Sequence, residues 1–292
     1  MIKYKKPILI AEIGCNHMGN INIAKKMIET AALSGADYVK FQKRNNKYLL
    51  GNEYNKPHPV PENSFANSYG QHREFLEFNI SQHKKLNKFC KKKKIKYATS
   101  VWEVKSAAEI VKSKMEMDFI KVPSACNLDF ELLKYLVKNF KKKIHLSTGM
   151  TKEKEISKII KFFKINKRIK DLVLYICTSD YPARDEDICL LEINKIKSKY
   201  KLKNEQIGFS GHHLGIAIDP IAYSLGAHFL ERHFTLDRTL KGTDHAASLE
   251  PTGLSKLKRN LLVAFKALSY KNKSGLLKNE LFQRKKLKRV IP

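Results

Sequence analysis

Short apolar, β-branched segments alternate along this chain with longer stretches whose apolar residues recur at helical spacing. The short segments predict strands at Ile8–Ile13, Tyr38–Gln42, Tyr97–Ser100, Phe119–Val122, Ile144–Ser147, Val173–Cys177, Ile207–Ser210 and His228–Arg232. The longer ones predict helices such as Ile23–Leu33, which runs into the turn Ser34-Gly35-Ala36, and Phe130–Val137. Strand–helix alternation of this kind builds parallel βαβ units. Eight such units predict an α/β protein of the closed (β/α)8 TIM-barrel class, with an open doubly wound sheet as the alternative. The stretch from about Lys47 to Asn79, with Pro57, Pro59 and Pro61, is too long for an ordinary connection. It follows the second strand, so it is expected above the barrel mouth, placed to cover a substrate.

Length agrees. A barrel needs roughly 250 residues, and the chain has 292. Residues 1–270 are assigned to the barrel domain and 271–292 to a basic, poorly patterned tail. No apolar run approaches the roughly 20 residues of a membrane span. Glu12 interrupts the only apolar stretch near the N-terminus, which argues against a signal peptide. The five cysteines are odd in number and contain no Cys-x-x-Cys, so a disulfide framework or structural zinc site is not expected and a reducing cytoplasm is the simplest setting.

The formal net charge of +29 changes the picture only in part. A positive field draws anions, from nucleic acid to phosphorylated metabolites. Most of the lysines, however, sit in runs such as Lys91–Lys94 and Lys141–Lys143 that read as solvated helix faces. No nucleic-acid-binding module accompanies them, so small anions are the expected partners.

In a parallel barrel the chemistry sits at the C-terminal ends of the strands. Nearly every predicted end carries a polar residue: Glu12, Lys40 and Gln42, Thr99, Lys121 and Ser124, Ser147, Ser179, Ser210 and His212, and His233. Lys40 and Lys121 lie in otherwise apolar strands, where a lysine is costly unless it is paired or snorkels to solvent. Both are placed to meet a phosphate or carboxylate, with nearby hydroxyls as neutral donors. His212 and His233 end adjacent strands and form a candidate pair for a borderline divalent metal, against the alternative of two structural hydrogen-bonders. Glu12 is placed to complete that site, directly or through water.

Several runs resemble the sialic acid synthase family. They are Ile10 to Gly19 (IAEIGCNHMG), Val39 to Gln42 (VKFQ), Leu146 to Met150 (LSTGM), Cys177 to Pro182 (CTSDYP), Glu231 to Asp237 (ERHFTLD), Lys241 to His245 and Ser248 to Pro251. They occur in family order from about Ile8 to Pro251. The segment Ser68 to Arg73, with Leu76 to Phe78, is similar to the animal-type 9-phosphate synthases. The resemblance implies a TIM-barrel transferase that condenses phosphoenolpyruvate with N-acetylmannosamine or a related, in some members 6-phosphorylated, sugar and releases phosphate. It implies that Lys40, Thr99, Lys121, Ser124, Ser147, Ser179 and Ser210 hold phosphoenolpyruvate. His212 and His233 would hold the metal, Mn2+ with Mg2+ or Co2+ as alternatives, and Glu12 would orient a water. Gln42, Tyr181 and Asp244 would face the sugar. The partners implied are small molecules, with no nucleic acid and no membrane, and the assembly implied is a homodimer.

The chain departs from the family pattern in three places. Cys126 stands where the family has an acidic residue, so the position is a candidate proton carrier at a solvated mouth or a plain buried thiol. His213 follows the metal histidine, where Thr or Glu is usual, and is expected to be exposed. The residues from Leu276 to Arg289 resemble the linker to a C-terminal antifreeze-like domain, and the expectation is that this domain is either missing by nature or cut off from the sequence, so that an arginine or lysine elsewhere would meet the sugar. Two other classes stay open on these grounds: a metal-dependent aldolase-like barrel, and a catalytically weak scaffold homologue.

Overall fold

A computed structural model describes residues 4–271 and 275–290. Residues 1–3 of the expected barrel domain, and residues 272–274 and 291–292 of the expected tail, lie outside the described residues. Eight parallel strands close in chain order, the first pairing with the last. They are β1 (Ile8–Gly14), β2 (Tyr38–Lys43), β3 (Lys96–Val101), β4 (Phe119–Val122), β5 (Lys143–Ser147), β6 (Leu172–Cys177), β7 (Ile207–Gly211) and β8 (Phe229–His233). Each lies within one residue of its predicted span at either end. The closed barrel, not the open sheet, is the fold.

The helices form because apolar stripes follow good caps. In Ile21–Leu33 the Asn20 side chain accepts from the amides of Asn22 and Ile23, and Ala24, Met27, Ile28 and Ala31 face the sheet. At the start of Phe130–Asn139 the Asp129 carboxylate accepts from the amides of Glu131 and Leu132, and the helix buries Leu132, Leu133, Leu136 and Val137. The last helix of the barrel, Pro251–Ala267, packs Leu254, Leu257 and Leu261 inward. Among the tail residues described, Lys278–Leu287 is helical and buries no side chain. No helix among the described residues is long and apolar enough to cross a membrane.

Strand alternation splits the core in two. Outward residues such as Leu9, Ala11, Ile13, Val39 and Phe41 meet the helix layer. Inward residues Ile10, Tyr38, Ala98, Phe119, Val173, Tyr175 and Phe229 plug the N-terminal half of the barrel. His145 stacks on Phe119 with ring centroids 3.7 Å apart and fills that plug further. Two residues along each strand, the inward positions turn polar, and the cavity begins.

Candidate active site

One level of the barrel interior is charged. β1 and β2 align Glu12 with Lys40, β1 and β8 align Glu12 with His233, and β7 and β8 align Ser210 with Glu231. Lys40 Nζ lies 2.6 Å from Glu12 Oε2 and 3.6 Å from Glu231 Oε1, and donates to Ser100 Oγ at 2.8 Å. Lys121 Nζ donates to Glu231 Oε1 at 2.6 Å and stands 4.3 Å from the centre of the Tyr175 ring. All four charged groups are buried. Burial opposes ionisation of Glu231, but Lys121 and Lys40 prevail and hold its carboxyl well below the usual range. Burial also opposes charging of the lysines. For Lys40, Glu12 and Glu231 outweigh it and raise the pKa. For Lys121, burial together with the charge of Lys40 wins over Glu231 and lowers it. The Lys121–Glu231 contact is therefore an ion pair whose lysine is the weaker holder of its proton.

A cavity of about 310 Å³ opens above this level. Glu12, Lys40, Gln42, Lys121, Ser124, Ser147, Ser179, Tyr181, Ser210, His212, His233 and Asp244 all line it, so twelve of the predicted residues converge. Gly149 shapes one wall. A Cβ there would stand 2.2 Å from Ser179 Oγ and 2.7 Å from Ser124 Oγ, so the close approach of backbone to those hydroxyls requires glycine. On the opposite wall β1 bulges between Glu12 and Gly14. Gly14 has φ +54°, and a Cβ there would stand 3.3 Å from Gln42 Nε2 and 3.5 Å from Asp244 Oδ2 and Glu12 Oε1.

The two imidazoles face each other at the rim, with ring centroids 5.6 Å apart. His212 Nδ1 lies 2.7 Å from the Thr178 carbonyl and donates to it, which leaves Nε2 with its lone pair. Burial, then the neighbouring His233, lowers the His212 pKa to about 3, so the ring is neutral. His233 Nδ1 is buried with no hydrogen-bond partner, 3.8 Å from Asp244 Oδ2. Burial works against the Asp244 charge, but His233, Thr243, Arg73 and Arg44 hold its carboxyl below the usual range. A neutral imidazole and an orphaned ring nitrogen beside a carboxylate fit a divalent ion with open positions for solvent and substrate. Among the described residues no three His, Cys, Asp or Glu side chains form a closed cage.

Residues 27–273 match the NeuB family. The chain belongs to that family. It is 35% identical over 254 residues to N-acetylneuraminate-9-phosphate synthase of Drosophila melanogaster, covering 85% of this chain and 65% of that protein. It is 36% identical over 255 residues to N,N'-diacetyllegionaminic acid synthase of Campylobacter jejuni, covering 87% of this chain and 75% of that protein. The solved N-acetylneuraminic acid synthetase of Leptospira borgpetersenii, in complex with citrate, superposes with a TM-score of 0.81 at 28% identity, over 98% of this chain and 94% of that one.

Three expectations for this NeuB-family chain need correction. Thr99 does not line the cavity: it is fully buried among the outward residues of β3, with its hydroxyl donating to the Ser100 carbonyl at 3.2 Å. Ser100 points inward in its place, because strand side chains alternate and a shift of one residue changes face. Cys126 is not at a solvated mouth. It is buried in a short 3-10 turn, Ser124–Cys126, packs with the apolar core, and leaves the cavity wall to Ser124 and Ala125. Burial, then Asp129, pushes its thiol up to about 12, the reverse of an activated cysteine. His213 is fully buried instead of exposed. Arg232 Nη1 donates to its Nε2 at 2.9 Å and to Asp219 Oδ2 at 2.7 Å, which ties the loop after β7 to β8.

Further residues, not expected from the sequence, join the site. Glu231 is the counter-ion of both lysines, and its signal was the same as theirs, a charge in an otherwise apolar strand that demands a partner. Arg44 and Arg73 line the cavity as well. Arg73 comes from the helix Tyr69–Leu76 inside the long stretch after β2. That stretch does lie at the mouth: Phe78 stacks on His17 with centroids 4.0 Å apart, and Glu77 pairs with Lys43 at 3.0 Å.

Proposed function

We propose that the chain condenses phosphoenolpyruvate with N-acetylmannosamine or a related amino-sugar aldehyde to form a sialic-acid-type nonulosonate and inorganic phosphate. The observation that carries this reading is the stacking of two chemistries in one cavity. Buried lysines and serine hydroxyls lie at the bottom, and a pair of imidazoles lies at the rim. The bottom suits the carboxylate and phosphate of phosphoenolpyruvate, with Lys40, Lys121, Ser100, Ser124, Ser147, Ser179 and Ser210 as donors. Gln42, Tyr181 and Asp244 are the groups for the sugar. His212 and His233 would hold a divalent ion, by expectation Mn2+ with Mg2+ or Co2+ as alternatives. When bound, such an ion supplies Lewis-acid polarisation of the aldehyde oxygen.

C3 of phosphoenolpyruvate forms the new carbon–carbon bond to the aldehyde carbon as the carbonyl π bond breaks, and the aldehyde oxygen takes up a proton to end as a hydroxyl. Water adds to C2, the bond from C2 to the phosphate oxygen breaks, and phosphate leaves. With Cys126 outside the cavity, Glu12 is the carboxylate placed to take the proton of that water, and its pairing with Lys40 at 2.6 Å holds it in position. The setting is a reducing cytoplasm, in keeping with five unpaired cysteines. The test is phosphate release with Mn2+ present. Release that needs both phosphoenolpyruvate and an amino-sugar aldehyde supports the condensation. A product formed from pyruvate with no phosphate release indicates an aldolase, and turnover of neither indicates a scaffold.

A further inference from the structure

On β8, Glu231 and His233 line the cavity, and Arg232 between them points away from it. The side chains of Arg232, His213 and Asp219 are all fully buried. Arg232 Nη2 donates to the His213 carbonyl at 2.6 Å. Its Nη1 reaches the Gly215 carbonyl at 2.9 Å, Asp219 Oδ2 at 2.7 Å and His213 Nε2 at 2.9 Å. Asp219 Oδ2 lies 3.2 Å from the same Nε2, and Asp219 belongs to the short helix Ile218–Ser224. One guanidinium on β8 thus gathers the whole turn that follows β7.

Register makes that turn matter. Gly211 of β7 is paired with Arg232 of β8, and the next residue on each strand is a cavity histidine, His212 and His233. The His213 ring folds back over Gly211: a Cβ on that glycine would stand 2.7 Å from His213 Cε1 and 2.9 Å from Nδ1. On its other side His212 has bonds of its own. Its carbonyl accepts from the Ala183 amide at 3.1 Å, and its Nδ1 donates to the Thr178 carbonyl at 2.7 Å. Toward β8, beyond the last ladder pair, His212 is braced through His213. The brace is a costly filling, since His213 Nδ1, Arg232 Nε and Asp219 Oδ1 are buried without a hydrogen-bond partner. Apolar side chains in such a place are often at least as stable, so what the polar set supplies is a fixed direction for the ring and the turn.

We propose that His213 is a positioning residue for the candidate metal pair: its ring, held at Nε2 by Arg232 and Asp219, fixes the turn after β7 and so sets His212 against His233. The inference rests on the metal reading given above for what that pair holds. Two amide variants test it. A Gln side chain reaches the place of Nε2, where it can accept from Arg232 and donate to Asp219, whereas an Asn side chain reaches only the place of Nδ1. The full chain is titrated with Mn2+, followed by the electron paramagnetic resonance of the free ion. His213→Asn should bind Mn2+ about tenfold more weakly than the parent, the lower end of the 10- to 100-fold that losing a metal site's supporting hydrogen bonds costs. His213→Gln should recover most of that loss. His213→Phe, which fills the space and bonds to nothing, should lose as much as Asn and covers the case in which the Asn variant does not fold. In the metal-free chains, peptides spanning 178–185 and 211–219 should exchange amide hydrogen faster in the Asn and Phe variants than in the Gln variant or the parent. Parent-like Mn2+ affinity in the Asn and Phe variants overturns the proposal, and so does an equal loss in all three. If the parent itself binds no Mn2+, the metal reading fails. The exchange then decides the positioning role by itself: faster exchange without the Nε2 contact upholds it, and equal exchange overturns it.

Discussion

Two layers of the barrel interior, two residues apart on β4 and β8, which contribute to both, solve burial in opposite ways. The lower layer joins Phe119, His145, Tyr175 and Phe229, and its polar atoms are neutral: His145 Nδ1 meets Tyr175 Oη at 2.8 Å, and burial, then the lysines around it, keeps the imidazole uncharged. The upper layer joins Glu12, Lys40, Lys121 and Glu231, which neutralise one another pairwise. A packed aromatic plug can only hold the barrel together. A buried set of two cations and two anions holds its shape as well, but it also keeps charges where an incoming anion can compete for them. Apolar residues would be at least as stable there, so the charges point to function and not to the fold.

The largest expected effect comes from breaking each layer once. Glu231→Ala should cost about 3–5 kcal/mol in a denaturant titration, because two lysines lose their counter-ion. Phe119→Ala should cost a similar amount, about 3–5 kcal/mol, through a cavity. The layers separate when inorganic phosphate is added: its extra stabilisation of Glu231→Ala should exceed that of the parent, and that of Phe119→Ala should not. Equal responses would make the upper layer as structural as the lower.

Lys121→Met combined with Glu231→Leu sharpens the contrast. Replacing both partners by apolar groups should recover most of the stability lost by Glu231→Ala, within about 1–2 kcal/mol of the parent. Phosphoenolpyruvate binding, followed by calorimetry, should still be lost. Restored binding in the double variant would remove Lys121 from the anion site.

A smaller effect follows from the buried neutral histidines outside both layers. Burial lowers His17 and His83 to about 3. An unfolded histidine titrates near about 6.5, so below that pH the unfolded chain binds protons that the folded chain refuses. Stability should therefore fall as the pH drops from about 6.5 toward 3, by up to about 1.4 kcal/mol per pH unit for each such histidine. Urea midpoints across that range check it, and His17→Phe, which keeps a ring against Phe78, should flatten the slope.

The smallest effect is expected at Cys126. Cys126→Ala should leave the rate of phosphate release unchanged and stability within about 1 kcal/mol, since a protonated core thiol is a small apolar group. A large fall in rate with stability intact would return this residue to the chemistry.

Local pattern alone determined the eight strands, their parallel arrangement and the end at which the polar residues gather, because period, capping and strand polarity are properties of neighbouring residues. The family was legible as well, since runs such as Glu231 to Asp237 carry it in order. Only the tertiary structure decided which face each residue takes where both choices were polar. Thr99 and Ser100 differ by one position of strand alternation, and the barrel registers Ser100 against Lys121. Only the tertiary structure, too, paired Glu231 with lysines 110 and more residues away in sequence, buried Cys126 beneath Ala125, and brought Arg73 of the β2 insertion to the cavity. Those are contacts between distant segments. Their partners are set by how the closed sheet packs, and no local spacing encodes that.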